Sequence, residues 1–157
     1  MPSKYPVTKG KIEKPMLILM YGPDKVGKSS FAASAPAPKF LDLENGSGDL
    51  EVSRFPKPSN FHEAVSMVED AAQDTEVGTL VVDTLDWLEP LVYNQVCAEA
   101  NGMPQSIAEI PFGKGYPLAV IKWRLFIEAL EKCRAAGKHV ILLAHSVVKK
   151  FEDPTVA

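Results

Sequence analysis

Four stretches of this chain are apolar over the length of a β-strand, and four others repeat apolar residues at helical spacing. The predicted strands are residues 15–21, 39–44, 77–84 and 139–145. The predicted helices are residues 30–35, 61–72, 84–100 and 118–136. Because strands and helices alternate, we predict an α/β fold of three layers, with a mainly parallel sheet flanked by helices. The first strand is apolar at nearly every position, which predicts burial on both of its faces.

Turn and cap residues set the expected limits of these elements. Pro36 and Pro38 end the first helix, because proline cannot continue it. Ser59 is the expected N-cap of the second helix. Gly137 is the residue expected to end the fourth helix. Residues 50–52 are a candidate for an additional short strand in an otherwise irregular loop.

A phosphate-binding loop follows the first strand. The segment has the pattern G-x-x-x-x-G-K-S between a strand and a helix, which is the context that a P-loop requires. Its backbone amides would surround the phosphates, Lys28 would reach the β- and γ-phosphates, and Ser29 would offer a hydroxyl to Mg²⁺. The predicted nucleotide-binding residues are Gly22, Pro23, Asp24, Lys25, Val26, Gly27, Lys28, Ser29 and Ser30.

Polar side chains follow the other three strands, at the sheet edge where the P-loop is expected. Asp83 ends an apolar strand and is the expected second metal-site residue beside Ser29. Glu44 either polarises the water that attacks the γ-phosphate or, with Asp42, only solvates a turn. His145 either contacts the γ-phosphate or has a structural role, and a single histidine at a strand end is more often structural.

The composition is that of one globular domain. The 157 residues are 46% hydrophobic and 24% charged, which suffices for one core. Residues 1–14 are polar and predict a flexible lead-in to a core of residues 15–157. The net charge of −3 indicates no general affinity for nucleic acid, although it permits a local basic patch.

The cysteines and the apolar runs predict a cytoplasmic protein. Cys97 and Cys133 lack metal-ligand spacing and are expected to be buried, reduced thiols. The longest apolar runs are far too short to cross a bilayer, so we expect no membrane partner.

Residues 101–117 are the least regular part of the chain. In the segment 112–116, glycines alternate with Phe112, Lys114 and Tyr116. Aromatic rings beside a positive charge on a flexible backbone can stack on bases and contact phosphates. The alternative, which we favour, is a surface loop with both aromatic rings packed on the fold.

The order of these signals resembles the RecA-type ATPase core. More closely, the chain resembles the RecA-like nucleotide-binding proteins of bacteriophages, which include the Sak-type single-strand annealing proteins. The residues that carry the resemblance are the P-loop, Phe40–Gly46, Val82–Asp86, Phe112–Tyr116, Leu143–Ser146 and Phe151–Pro154. They span nearly the whole chain from residue 15. The resemblance implies the spatial strand order second, third, fourth, first.

The resemblance also implies roles for individual residues. Glu44 becomes the expected catalytic carboxylate and His145 the expected γ-phosphate sensor, acting with Lys28. Lys149, Lys150 and Phe151 become candidates for contacting DNA, with Lys114 as a further candidate. Members of the group usually continue beyond the point where this chain ends, so the core is expected to be incomplete at its C-terminus.

The expected function is therefore Mg²⁺-dependent ATP binding and slow hydrolysis that acts on single-stranded DNA in phage recombination or annealing. If phage-encoded, the protein would act in the cytoplasm of the bacterial host. Arg54, Arg124 and Arg134 lie in segments that read as structural, so a neighbouring protomer is expected to complete the site in a homo-oligomer. The alternatives are a P-loop small-molecule or nucleotide kinase and a nucleotide-binding module without useful turnover.

Overall fold

The computed structural model describes residues 4–147. Its strands are β1 (Leu17–Gly22), β2 (Pro38–Asp42), β3 (Ser53–Arg54), β4 (Thr79–Asp83) and β5 (His139–His145). Its α-helices are α1 (Lys28–Ala33), α2 (Phe61–Gln73), α3 (Leu85–Glu99) and α4 (Gly115–Ala135). Two short 3₁₀ helices, Ile107–Glu109 and Pro111–Gly113, lie between α3 and α4. The predicted helices and strands are all present.

The five strands form one parallel sheet in the order β1-β5-β4-β2-β3. The predicted order of the four main strands is therefore confirmed. The additional strand is β3, which pairs with β2 and lies one residue beyond the candidate segment 50–52. In a parallel sheet all strands end at the same edge, so the residues after β1, β2, β4 and β5 converge there.

Helices cover both faces of the sheet, which confirms the three-layer α/β fold. On one face Leu41, Leu80 and Val82 join a large core with apolar residues of α2, α3 and α4. On the other face Phe40, Val81 and Ile141 pack with Ala32 of α1. Helix α1 lies on the opposite face from α2, α3 and α4 because the crossover from β1 to β2 runs in the opposite direction to the crossovers from β3 to β4 and from β4 to β5.

The prediction that β1 is buried on both faces is wrong. Leu17, Leu19 and Tyr21 are 41%, 57% and 72% exposed, whereas Ile18 and Met20 pack against the core on the α1 side. The reason is position in the sheet, since β1 is an edge strand paired only with β5 among the described residues. An apolar run alone does not distinguish an edge strand from a central one.

Two predicted helix starts are corrected. The N-cap of α2 is Asn60 and not Ser59, because the Asn60 side chain accepts a hydrogen bond from the Glu63 amide at 2.9 Å. Ser59 instead donates its own amide to the Glu63 carboxylate. Helix α4 begins at Gly115, three residues before the predicted position. Its predicted end is confirmed, since Gly137 follows the helix with φ of 89°.

The prediction that both aromatic rings of this loop pack on the fold is wrong for Phe112. Its side chain is 94% exposed, and the Lys114 ammonium lies 5.7 Å from the centre of its ring. Tyr116 is half-exposed and meets the edge of Tyr93, so it is partly packed as expected.

Cys97 and Cys133 are both buried and unpaired, as predicted. Burial raises the pKa of the Cys133 thiol. Residues 4–14 are exposed and contain no helix or strand. Within residues 4–147, no helix combines the length and the apolar character needed to cross a membrane.

Candidate active site

The P-loop connects the end of β1 to the start of α1. Gly27 has φ of 93°, a conformation that side chains with a Cβ rarely adopt. Lys28 is only 7% exposed, and its ammonium donates to the carbonyl oxygens of Gly22 at 2.9 Å and Pro23 at 2.8 Å. The loop therefore holds a buried positive charge at its centre, where phosphates would be bound.

Ser29 and Asp83 meet directly, although they are far apart in the sequence. The Ser29 hydroxyl donates to the Asp83 carboxylate at 2.6 Å. Burial raises the pKa of Asp83, and the nearby Asp42 carboxylate adds to the rise, while Ser29, His145 and Lys28 oppose it. A hydroxyl beside a buried carboxylate suits Mg²⁺, because a divalent cation would favour the charged form that burial penalises.

Thr84 provides a second indication that a ligand fits here. Thr84 is 1% exposed and lines the cleft described below, next to Asp83. Within the described part of the chain, its hydroxyl is the one buried side-chain polar atom without a hydrogen-bond partner. Such groups are rare in folded proteins. The hydroxyl is thus free to bind a ligand or a water molecule of the metal.

Glu44 lies in a loop that is attached to the end of β4. The amides of Leu43 and Glu44 both donate to the Asp83 carbonyl, at 2.8 Å and 3.2 Å. The Glu44 carboxylate lines the cleft, and its Oε2 is 3.8 Å from Nε2 of His145. The structure therefore brings the expected catalytic carboxylate to the P-loop.

Asp42 has a different role, in shaping the loop that carries Glu44. It is 5% exposed and accepts hydrogen bonds from the Gly46 amide and from the amide and hydroxyl of Ser47. Arg54 then donates to the hydroxyl and carbonyl of Ser47. Of the two acids considered for catalysis, only Glu44 faces the cleft, while Asp42 stabilises its loop.

The Asp42→Asn variant is expected to lose about 2 kcal/mol of folding free energy at neutral pH, because a charged acceptor of three hydrogen bonds is removed. Burial by itself raises the pKa of Asp42, but the hydrogen bonds from Ser47, Gly46 and Asn45 outweigh it and hold the pKa below its ordinary value.

The Asp42 contribution to stability is accordingly present above the pKa of the unfolded state and is lost as the pH falls through the lower folded pKa. Urea unfolding of both proteins between pH 7 and pH 3 would show the difference shrinking in acid. A difference that stays constant over this range would contradict the assignment.

His145 ends β5 among three carboxylates. Its Nε2 lies 2.7 Å from Oδ1 of Asp24 in the P-loop and 3.8 Å from Glu44. Its Nδ1 lies 3.4 Å from Oδ2 of Asp86, and the same oxygen accepts the His145 amide at 2.8 Å. Asp86, in the first turn of α3, thus fixes the backbone of His145 at the end of β5.

These groups line a cleft of about 460 Å³. The lining residues are Asp24, Lys25, Gly27, Lys28, Ser29, Ser30, Glu44, Gly46, Asp49, Leu50, Asp83, Thr84 and His145. Of the predicted nucleotide-binding residues, Gly22, Pro23 and Val26 belong to the loop without lining the cleft. Lys114 does not line it either, and Lys149, Lys150 and Phe151 lie outside the described residues.

Sequence reasoning assigned no site role to five residues at or beside the cleft: Gly46, Asp49, Leu50, Thr84 and Asp86. Thr84 and Asp86 lie where the Asp83 strand ends and the next predicted helix starts. Residues at such a point lie at the ligand-binding edge of a parallel sheet, so their position in the sequence was a usable signal. Asp49 and Leu50 reach the cleft through the turn that Asp42 and Arg54 organise, and no local pattern indicates this.

Within residues 4–147, no arginine lines the cleft. Arg54 is bound to Ser47 and Leu50, Arg134 donates to the Pro15 carbonyl and the Glu131 carboxylate, and Arg124 is exposed on α4. The cationic side chains that do line it are Lys25 and Lys28, with His145 as a third when protonated.

A parallel α/β sheet with a P-loop, a serine–aspartate pair and a polar cleft at the ends of its strands defines a P-loop nucleoside triphosphatase. A family model described as an AAA domain matches residues 14–157, which is nearly the whole chain. The chain therefore belongs to this family of P-loop ATPases. A comparison with curated proteins gave no match.

Proposed function

We propose that this ATPase domain hydrolyses Mg²⁺–ATP slowly and couples the cycle to single-stranded DNA, in phage recombination or annealing. The observation that carries the catalytic part is the meeting of Lys28, Ser29–Asp83, Glu44 and His145 around one cleft. These side chains come from four different strand ends, so the arrangement supplies phosphate binding, a metal site and a base together.

Each residue has a defined task in this proposal. Lys28 and the P-loop amides bind the β- and γ-phosphates. Glu44 orients the attacking water and accepts its proton, since its carboxylate faces the cleft from a loop fixed to β4. His145 donates a hydrogen bond from Nε2 to the γ-phosphate, while Asp86 holds its backbone.

Ser29 and Asp83 are the residues that would hold Mg²⁺, directly or through its water ligands, with Thr84 beside them. When bound, the cation neutralises charge on the phosphate oxygens.

Two features support the DNA-binding part of the proposal. Phe112 is almost fully exposed with Lys114 beside its ring, and an exposed aromatic side chain next to a cation can stack on an unpaired base. The sequence offers the same combination a few residues after β5, at Lys149, Lys150 and Phe151. The resemblance to phage annealing proteins, which covers these segments, adds the choice of single-stranded DNA.

A homo-oligomer is part of the same proposal. No arginine among the described residues lines the cleft, so a cation from a second protomer would complete charge neutralisation at the γ-phosphate. The exposed apolar side chains of the edge strand β1, Leu17, Leu19 and Tyr21, offer a surface for such contacts.

The test is the rate of ATP hydrolysis by the full chain with Mg²⁺, measured with and without single-stranded DNA. We expect a slow basal rate that DNA increases several-fold, because DNA would order the protomers or the loops that carry the cations. Double-stranded DNA of the same length is the matched control and is expected to stimulate less.

The two alternatives give different outcomes in this assay. A kinase would transfer the γ-phosphate to a small acceptor and would release little inorganic phosphate without it. A nucleotide-binding module would bind ATP without turnover. A basal rate that single-stranded DNA leaves unchanged would contradict the DNA part while preserving the ATPase part.

A further inference from the structure

The P-loop residue Asp24 is bound to the side chain assigned to γ-phosphate contact. Its Oδ1 lies 2.7 Å from Nε2 of His145, the shortest of the three contacts between that imidazole and a carboxylate side chain through a ring nitrogen. The Asp24 side chain is otherwise 77% exposed, whereas His145 is 22% exposed. The contact therefore connects a solvent-exposed side chain of the P-loop to a largely buried one at the end of β5.

The other carboxylates cannot take the place of Asp24 in this contact. Asp86 holds the backbone amide of His145 at 2.8 Å and faces the opposite ring nitrogen, Nδ1. Glu44 is 3.8 Å from Nε2, which is too long for a hydrogen bond. Nε2 is thus directed to a single acceptor, and that acceptor is supplied by the P-loop itself.

A carboxylate and a terminal phosphate are both anionic groups that accept hydrogen bonds from an imidazole. The N–H of Nε2 can form one strong hydrogen bond at a time. A nucleoside triphosphate in the cleft would therefore have to replace Asp24 at His145 in order to form its own contact. A diphosphate has no γ-phosphate and would leave the Asp24–His145 pair in place.

We infer that Asp24 is a specificity-determining residue that competes with the γ-phosphate for His145 and so lowers the preference of this site for triphosphates over diphosphates. The inference rests on the proposed function, in which His145 contacts the γ-phosphate. It assigns to Asp24 a role beyond lining the cleft as part of the P-loop. The competition reduces the affinity for ATP by the free energy of the displaced Asp24–His145 hydrogen bond, whereas the affinity for ADP is not reduced in this way.

The test compares the affinities of the full chain for ADP and for a non-hydrolysable ATP analogue, both with Mg²⁺, by titration calorimetry. In the Asp24→Asn variant the ratio of the two affinities is expected to shift toward the triphosphate by about three- to tenfold, because a neutral amide is a weaker acceptor and the hydrogen bond that it replaces contributes about 1 kcal/mol. Asp24 is exposed, so the variant should keep the unfolding midpoint of the unaltered protein.

Asp49→Asn is the matched control. Asp49 also lines the cleft and carries the same charge, but no contact joins it to His145. Its removal weakens the repulsion of all phosphates and is expected to raise both affinities, with a smaller change in their ratio than Asp24→Asn gives. A second control is Asp24→Asn in a His145→Ala background, where the shift in ratio should disappear.

The outcomes separate the inference from the proposed function. An Asp24→Asn variant that shifts the ratio no further than Asp49→Asn does would overturn the inference while leaving the ATPase proposal intact. A shift that persists without His145 would overturn it as well. Failure of the unaltered protein to bind either nucleotide would overturn the proposed function and the inference together.

Discussion

Lys28→Met is expected to weaken the binding of Mg²⁺–ATP by about 100-fold or more, because removing a buried charged partner typically costs several kcal/mol. Methionine keeps most of the apolar stem but cannot donate a hydrogen bond. The Lys28 ammonium is 7% exposed and is held at the centre of the P-loop by the carbonyls of Gly22 and Pro23. Fluorescence titration with a labelled ATP analogue would measure the loss.

Lys132→Met is the control for a change of net charge, since Lys132 is exposed on α4 and outside the cleft. The same titration should give the affinity of the unaltered protein. Unfolding of Lys28→Met by urea would show whether the P-loop still folds when the two carbonyls lose their donor. A folded Lys28→Met protein that bound ATP normally would remove the basis for assigning the cleft to a nucleotide.

Glu44→Gln is expected to reduce the turnover of ATP by about 100- to 10,000-fold, the range for removing a general base. The amide has nearly the shape of the carboxylate, and the loop is held by the backbone hydrogen bonds to Asp83 and not by the Glu44 side chain. The affinity for ATP should therefore change only a few-fold. Single-turnover measurements would separate the chemical step from binding and product release.

Glu51→Gln serves as the matched control, because Glu51 is an exposed acid in the same connection but does not line the cleft. Its turnover should equal that of the unaltered protein. If Glu44→Gln hydrolyses ATP at an unchanged rate, Glu44 is not the base. Turnover that is undetectable in the unaltered protein and in both variants, with ATP still bound, would favour the nucleotide-binding module.

Short-range patterns in the sequence were enough to predict the class of this protein, a P-loop α/β protein. The P-loop, the strand ending in Asp83 and the alternation of strands with helices are short-range features, so they could be found in the sequence. Parallel strands then imply a shared edge, and this predicts that Glu44 and His145 lie near Lys28. The order of the four main strands also followed, although it required the RecA-type resemblance as well as the pattern.

Tertiary structure decided the questions that depend on neighbours distant in the chain. Asp42 and Glu44 are two residues apart and both carry a carboxyl group, and only the contacts of Asp42 with Gly46 and Ser47 reveal which one faces the cleft. The exposure of β1 depends on the absence of a second pairing strand among the described residues.

The pairing of Asp24 with His145 joins residues at the ends of two neighbouring strands that are more than a hundred positions apart in the chain. The sequence by itself determined that this protein carries a phosphate-binding loop in a parallel α/β sheet, because spacing within a strand, turn or helix is encoded locally. Only the tertiary structure decided which acid faces the cleft and which acid contacts His145, because those contacts follow from distances between separate strands.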